Sequence, residues 1–199
     1  MNKRQLQSEQ TKRRIAELTR PLFVQKGFAG TSIEDIVAAT GSSKGNIYYH
    51  FENKEGLFLY LFDEWDREWE EQWEIQERQY GSTADKMYGF VHHLIENELN
   101  HPLIQAADEF FGQEWVRSDI QERILQMIEK RVRFNQGLLQ QGMDQGEFKP
   151  DDAGLLGIIF ESLLIGLSEM SRKCSLEDTI RLYSKSISVF LHGIMVKTQ

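Results

Sequence analysis

Residues 31–51 read TSIEDIVAATGSSKGNIYYHF, and this stretch decides how the rest of the chain is interpreted. Its first ten positions carry apolar residues at helical spacing, which predicts a short helix: Ile33, Ile36, Val37 and Ala39. Gly41 predicts the end of this helix, because glycine adopts the left-handed conformation at little cost. A second short helix from Lys44 to His50 follows a serine that can cap it. Two short helices joined by a glycine-containing turn form a helix-turn-helix, whose second helix enters the major groove of DNA.

These residues resemble the DNA-binding signature of TetR-family transcriptional repressors. The resemblance runs without gaps from about Gly27 to Leu57, while beyond residue 60 only length and helical character fit the family. It departs at Thr40 and Ser42, where the family usually has alanine and a small apolar residue. The matching positions are Thr31, Ser32, Ile36, Ala39, Gly41, Ser43, Gly45, Ile47, Tyr48, His50, Phe51, Asn53, Lys54 and Leu57.

Length and composition predict an all-α protein, because the 199 residues include only three prolines and long stretches of helical periodicity. We expect an N-terminal three-helix bundle with the helix-turn-helix DNA-binding domain in residues 1–52. A larger C-terminal helical domain for ligand binding and dimerisation is expected in residues 53–199. Glu161 interrupts the most apolar run, residues 153–170, which favours a buried helix over a membrane span. The single Cys174 excludes an intramolecular disulfide and fits a cytoplasmic protein.

The net charge of −8 is unevenly distributed along the chain. Residues 1–60 carry 9 Lys and Arg against 6 Asp and Glu, whereas the remaining chain carries 14 against 25. An acidic protein can therefore still bind DNA, because only the local surface meets the phosphates. In the first helix, Lys12, Arg13 and Arg14 are expected to contact phosphates together with Thr11; the alternative is a solvated basic arm.

Side-chain direction divides the second helix of the motif into two faces. Ile47 and Phe51 are expected to point inward, while Asn46 can read an adenine edge and Lys44 can reach guanine acceptors. Tyr48 could instead be a core tyrosine that exposes only its hydroxyl. By resemblance, the family's DNA contacts fall on Ser32, Ser43, Lys44, Gly45, Asn46, Tyr48, Tyr49, His50 and Lys54. The last of these is expected to share a phosphate with the backbone amides of the next helix.

A long helix is predicted from Asn53 to about Arg78, where apolar residues recur at four-residue steps: Leu57, Leu61, Trp65, Trp69 and Trp73. This helix is expected to link the small domain mechanically to the larger one. Candidate ligand-binding residues are Trp65, Trp69, Phe90, Phe110, Phe111, Trp115, Phe160 and Glu161. The aromatic residues suggest a large apolar ligand and the acidic ones allow a cation, but the same residues also make an ordinary core.

No metal or cofactor is predicted. His92 and His93 are adjacent, so on a helix their side chains point about 100° apart and do not easily share one ion.

The last two helices are predicted to begin near Asp151 and Ser175 and to form a homodimer interface. The first of them is apolar nearly all round, which a single layer of neighbours does not cover. Pairing both helices with their copies would give a two-fold four-helix arrangement. The alternative is that they form the core of a large monomeric domain.

The leading hypothesis is a dimeric transcriptional regulator, most simply a repressor that a small-molecule effector releases from a palindromic DNA operator. Moving the long helix would change the separation of the two recognition helices, with a coupling of about 1–3 kcal/mol. The alternative is an enzyme or ligand-binding helical protein with an incidental helix-turn-helix, although no nucleophile has a base beside it in motif spacing. A third possibility is an activator, or a regulator without a small ligand.

Overall fold

The protein is all-α, as predicted, in the computed structural model, which describes residues 3–98, 101–113 and 118–195. The helices are α1 (Lys3–Lys26), α2 (Ile33–Thr40), α3 (Lys44–Phe51), α4 (Lys54–Gln76), α5 (Thr83–Glu98), α6 (Ile104–Phe111), α7 (Ser118–Asp144), α8 (Ala153–Ser171) and α9 (Leu176–Ile194). A short 3-10 helix, Glu77–Gln79, follows α4. The described ranges contain no β-strand, and only an isolated antiparallel bridge joins Phe148 to Met195.

Side-chain caps fix the starts of four helices at serine or aspartate residues. Ser32, Ser43, Asp152 and Ser175 each accept a hydrogen bond from the backbone N–H three residues further on. Gly41 ends α2 with a φ of 65°, the left-handed conformation that its position predicted.

The spacing of Ile15, Leu18, Leu22 and Phe23 predicts a first helix from about Ser8 to Lys26 with these four residues buried, and the structure differs in its start and in its buried face. The helix begins at Lys3, because the polar residues before Ser8 are good helix formers. Leu18, expected in the buried stripe, is exposed, and the buried positions are Ile15, Ala16, Thr19 and Phe23.

The described residues fall into two compact units, 3–71 with 101–113, and 72–98 with 118–195. Helix α6 therefore belongs with α1, α2 and α3, although it lies far from them in sequence. Helix α4 begins in the first unit and ends in the second. The predicted boundary after residue 52, between a DNA-binding domain and a ligand-binding and dimerisation domain, stays a prediction.

Four phenylalanines form the centre of the first unit. The ring of Phe28, in the α1–α2 turn, lies 5.2 Å from Phe58 of α4 and 4.9 Å from Phe110 of α6. Phe23 of α1 lies 5.0 Å from Phe58, edge to face. All four rings are buried, so the turn that leads into the helix-turn-helix shares one core with α1, α4 and α6.

A buried carboxylate joins α1 to α4 in the same unit. Glu64 accepts a hydrogen bond from the Tyr60 hydroxyl at 3.2 Å, and its other oxygen lies 3.8 Å from the guanidinium of Arg20. Burial, followed by the charge of Glu64, raises the pKa of Tyr60 to about 12. The charge of this carboxylate is thus paired where water is largely excluded.

Aromatic rings also fill the second unit. Trp73 lies 5.6 Å from Phe90, and Phe90 lies 5.3 Å from Phe134. Phe160 of α8 packs at 5.0 Å against Phe190 of α9. Three of the five rings, Trp73, Phe90 and Phe160, are almost completely buried, as expected of a well-packed helical core.

Helix α8 buries only one face within the chain. Gly157, Phe160, Leu164 and Leu167 are buried, whereas the opposite face exposes Leu155, Ile158, Ile159 and Ile165. By length and composition α8 could also cross a membrane, which is weak evidence because the core helices of other proteins pass the same test.

Close contact between α7 and α8 depends on Gly157. A Cβ there would lie 3.1 Å from the carbonyl oxygen of Val132 and 3.2 Å from the amide nitrogen of Gln136. We expect Gly157→Val to lower the free energy of unfolding by about 1–3 kcal/mol, because the two backbones would have to separate.

The matched control is Gly137→Val on α7, where nothing lies within 4 Å of an added Cβ. This change should leave the free energy of unfolding nearly unaltered. Urea unfolding at one protein concentration compares the two variants, and equal stability would contradict the close packing at Gly157.

Candidate nucleic-acid interface

A capping box holds the start of α2. The Ser32 hydroxyl oxygen accepts from the Asp35 N–H at 3.1 Å, and the Asp35 carboxylate accepts from the Ser32 N–H at 3.0 Å. Lys26 donates to the same carboxylate at 2.7 Å. This hydrogen bond, together with those from Ser32, holds the pKa of Asp35 well below its usual range. Ser32 is therefore fixed in place and exposed at the surface of the unit.

The turn between α2 and α3 is stabilised by Thr40, one of the two departures from the family signature. Its hydroxyl donates to the Ile36 carbonyl oxygen at 2.8 Å and accepts from the Ser42 N–H at 3.1 Å. Thr40 is buried, and these two hydrogen bonds satisfy the hydroxyl that an alanine at this position would lack.

Helix α3 presents the two faces that its sequence predicted. Ile47 and Phe51 are buried, and Tyr49 is 76% exposed. Tyr48 is 39% exposed, which excludes the alternative that only its hydroxyl reaches the surface. If residue 45 carried a Cβ, only the Ser43 hydroxyl would lie within 4 Å of it. Another molecule can therefore approach the backbone of Gly45 closely.

The polar residues of α3 already have partners on the protein. Lys44 lies 3.2 Å from the Glu34 carboxylate, and this contact raises the pKa of Lys44. The Asn46 backbone N–H donates to Ser43 at 3.2 Å. Burial and then the charge of Lys12 lower the pKa of His50, so its imidazole is neutral at pH 7. A neutral His50 can meet a phosphate as a hydrogen-bond donor.

The basic residues of α1 are partly engaged within the unit. The Lys12 ammonium lies 4.6 Å above the ring of Tyr60, and Arg13 pairs with Glu17 at 3.0 Å. The predicted phosphate contacts of these side chains would require exchange of such partners.

Lys54 is engaged within the unit, and its phosphate contact stays a prediction. Its ammonium, expected on a phosphate, donates to the carbonyl oxygens of Phe28 at 2.8 Å and Thr31 at 2.9 Å, and lies 4.2 Å above the Phe28 ring. Burial lowers the pKa of Lys54. The side chain therefore ties α4 to the α1–α2 turn. Sequence reasoning missed this role because the acceptors lie 23 and 26 residues away.

The candidate ligand-binding residues fall in both units. Trp65, Trp69, Phe110 and Phe111 lie in the first, while Phe90, Phe160 and Glu161 lie in the second. Trp115 lies outside the described residues. Phe110 is fully buried among phenylalanines of its own unit, which makes it a core residue in this structure.

Trp65 and Glu161 have partners that the sequence did not identify. The ring of His101 stacks on Trp65 at 3.8 Å and 10°. Burial, and then the charge of Arg20, lower the pKa of His101 to about 4, so it is neutral at pH 7. Glu161 is buried, accepting from the Asn135 side-chain amide at 2.8 Å and lying 3.6 Å from Arg131. Glu161 could pair with a basic residue, face solvent or meet a cationic ligand, and the structure supports the first of these.

Among the residues that the structure describes, no group of three or more His, Cys, Asp or Glu side chains is placed to hold a metal ion.

Capped α2, the left-handed turn at Gly41 and the exposed outer face of α3 define a helix-turn-helix DNA-binding protein. Two family models match the chain: "Bacterial regulatory proteins, tetR family" over residues 15–61, and "QacR-like protein, C-terminal region" over residues 65–196. The chain belongs to the TetR family of bacterial regulatory proteins.

Several curated relatives support this assignment. The transcriptional regulator QacR of Staphylococcus aureus is 27% identical over 183 residues, which cover 92% of this chain and 97% of QacR. The regulator YfiR of Bacillus subtilis is 28% identical over 143 residues, 68% of this chain and 67% of YfiR. The repressor AcnR of Corynebacterium glutamicum is 39% identical over 54 residues, 27% of this chain and 29% of AcnR.

Solved structures show the same fold. A TetR-family regulator from Cytophaga hutchinsonii superposes with a TM-score of 0.77 at 23% identity, covering 96% of this chain and 98% of its own. Another, from Pectobacterium atrosepticum, has a TM-score of 0.78 at 18% identity and covers 98% of both chains.

The chain is accordingly a ligand-responsive DNA-binding transcriptional regulator. The alternative of an enzyme or ligand-binding protein with an incidental helix-turn-helix is not favoured, since the relatives compared above are transcriptional regulators.

The role of Lys54 can be tested by stability. We expect Lys54→Met to lower the free energy of unfolding by about 2 kcal/mol, because two carbonyl oxygens lose a charged donor. Urea unfolding at a fixed protein concentration measures this change.

Lys44→Met serves as the control, because Lys44 pairs with an exposed carboxylate and should contribute little to the free energy of unfolding. If both variants were as stable as the wild type, Lys54 would not hold the turn.

Proposed function

We propose that this protein is a cytoplasmic repressor that binds a palindromic operator as a homodimer and leaves it when a small molecule binds. The observation that carries the proposal is the outer face of α3, where Tyr48 and Tyr49 are exposed while Ile47 and Phe51 anchor the helix. It acts by binding, not by catalysis. The relative AcnR is named a transcriptional repressor, which supports repression.

Base reading falls to Asn46 and Lys44. The Asn46 amide can form two hydrogen bonds with an adenine edge, and the Lys44 ammonium can exchange Glu34 for guanine acceptors. The hydroxyls of Ser32, Ser43, Tyr48 and Tyr49, and the imidazole of His50, contact phosphates and set the register. Gly45 allows the backbone to approach the bases. Lys54 supports the interface by bonding the α1–α2 turn.

Homodimerisation uses α8 and α9. Their apolar residues Leu155, Ile158, Ile165 and Val189 are each more than half exposed in the single chain. An apolar surface of this kind on two neighbouring helices marks an interaction site. A second copy related by a two-fold axis covers it and presents two recognition helices about 34 Å apart. This arrangement favours a dimer over a membrane as the partner of α8, because Glu161 on the same helix is buried and paired inside the chain.

The effector acts through residues 53–199. Because α4 begins in the unit that carries the helix-turn-helix and ends in the other, a ligand that shifts its far end alters the separation of the recognition helices. The effector must bind the two arrangements with different affinity. A difference of about 1–3 kcal/mol suffices to weaken operator binding roughly 5–150-fold. The aromatic residues Trp65, Trp69, Phe90, Phe111 and Phe160 suit a large apolar compound. A cationic ligand would have to displace Arg131 from Glu161.

Asn46→Ala tests this function. The variant should bind a duplex from the promoter of its own gene about 5–150-fold more weakly, because one bidentate base contact contributes about 1–3 kcal/mol. Fluorescence anisotropy with the promoter duplex and a scrambled duplex measures both affinities.

Binding to the scrambled duplex should not change, since Asn46 carries no charge. Gln79→Ala, an exposed amide outside the helix-turn-helix, is the control and should bind as the wild type does. Equal promoter affinity for Asn46→Ala and wild type would reject the base-reading role. No salt-dependent preference of the wild-type protein for any duplex would reject the function.

A further inference from the structure

The turn between α1 and α2, residues 27–31, is held by charged side chains from two other helices. From α6, the Glu109 carboxylate accepts a hydrogen bond from the Ala29 N–H at 3.0 Å. From α4, the Lys54 ammonium donates to the carbonyl oxygens on either side, those of Phe28 and Thr31. Side chains thereby bond both backbone donors and backbone acceptors of a segment that is neither helix nor strand.

The Glu109 carboxylate is seated closely against this turn. Gly27 has a φ of +71°, and a Cβ at this position would overlap the carboxylate group. Position 27 therefore favours glycine for two reasons: the left-handed φ, and the close approach of the Glu109 carboxylate from α6.

Apolar and polar contacts from α6 converge on the same turn. Phe110 follows Glu109 in α6 and packs edge to face on Phe28 at 4.9 Å. The Thr31 hydroxyl closes the turn by donating to the Gly27 carbonyl oxygen at 2.8 Å. The next residue is Ser32, the cap of α2, so the position of the turn sets the position of the first α2 residues.

We propose that Glu109 is a positioning residue for operator binding: it fixes the α1–α2 turn, and through it Ser32 and the start of α2, without touching DNA. The inference rests on the proposed function, in which Ser32 meets a phosphate. Glu109 lies 80 residues from its hydrogen-bond partner. Neither the family signature nor the sequence pattern assigns it a part in DNA binding.

The sign of the effect separates positioning from electrostatics. Glu109 is negative, so if it acted only through its charge, removing it would strengthen binding to any duplex. As a positioning residue, its loss must weaken specific binding while binding to scrambled DNA stays the same or improves slightly. The salt dependence of specific binding should be unchanged, because no phosphate contact is removed.

Three substitutions of Glu109 distinguish the effect of its hydrogen bond to Ala29 from the effect of its charge. Glu109→Gln keeps an acceptor oxygen at the same length without the charge, and should bind the promoter duplex as tightly as the wild type. Glu109→Asp keeps the charge but is one methylene shorter, so it should lose the Ala29 bond and bind about tenfold more weakly. Glu109→Met keeps the bulk without any acceptor oxygen, and it should behave as the Asp variant does.

Hydrogen exchange supplies a readout at the contact itself. The Ala29 amide should exchange faster in the Asp and Met variants and stay protected in the Gln variant. Glu68→Ala, which removes an exposed carboxylate of the same unit, is the control for charge and should not weaken specific binding. Should the Met variant not fold, the comparison of Gln with Asp still decides.

An Asp variant that binds the promoter duplex as tightly as the wild type would overturn the proposal, and a Gln variant that binds every duplex more tightly would overturn it in favour of a charge effect. Unchanged promoter affinity in all three variants would overturn it as well. Both results presuppose that the wild type prefers the promoter duplex and that Asn46→Ala loses this preference. If the wild type shows no preference, the proposed function itself fails, and that outcome overturns the role of Glu109 with it.

Discussion

The packing of four phenylalanine rings is the constraint on which the DNA-binding surface depends. Helices α2 and α3 have eight residues each, and isolated helices of this length are not stable in water. Phe28, in the turn that leads into α2, packs with Phe58 and Phe110 in a core built from α1, α4 and α6, while Ile36 of α2 and Ile47 of α3 are fully buried in the same unit. Burying each ring contributes about 1.5–3 kcal/mol, more than a typical single hydrogen bond in the turns. The recognition helix therefore depends for its orientation on the helices that it packs against.

The sequence was sufficient to predict the helix-turn-helix because its determinants are local. The caps Ser32 and Ser43 bond backbone groups three residues away, and the apolar spacing of α2 and α3 repeats within two turns. The inward direction of Ile47 and Phe51 follows from the same periodicity. These features confirm that the fold class and the two faces of α3 could be inferred without any distant contact. The DNA contacts themselves stay predictions.

Long-range contacts account for what the sequence could not predict. Lys54 and Glu109 find their partners 23 to 80 residues away, and no periodicity connects those positions. Phe110 is an aromatic residue of the kind that lines ligand pockets, but it is buried in the core of the first unit. Helix α8 was expected to be apolar nearly all round, yet which of its faces meets α7 depends on Gly157 and its fit against a neighbouring backbone. The exposed face that remains is the one available to a second copy.

The central claim is that two copies of the α3 surface, carried by one dimer, read one operator. Native mass spectrometry of the protein with its promoter duplex, in the presence of excess scrambled duplex, tests this claim directly. The account predicts a single complex of two chains on one promoter duplex, and a dimer in the absence of DNA. A single chain on the duplex, or equal occupancy of promoter and scrambled DNA, would contradict it.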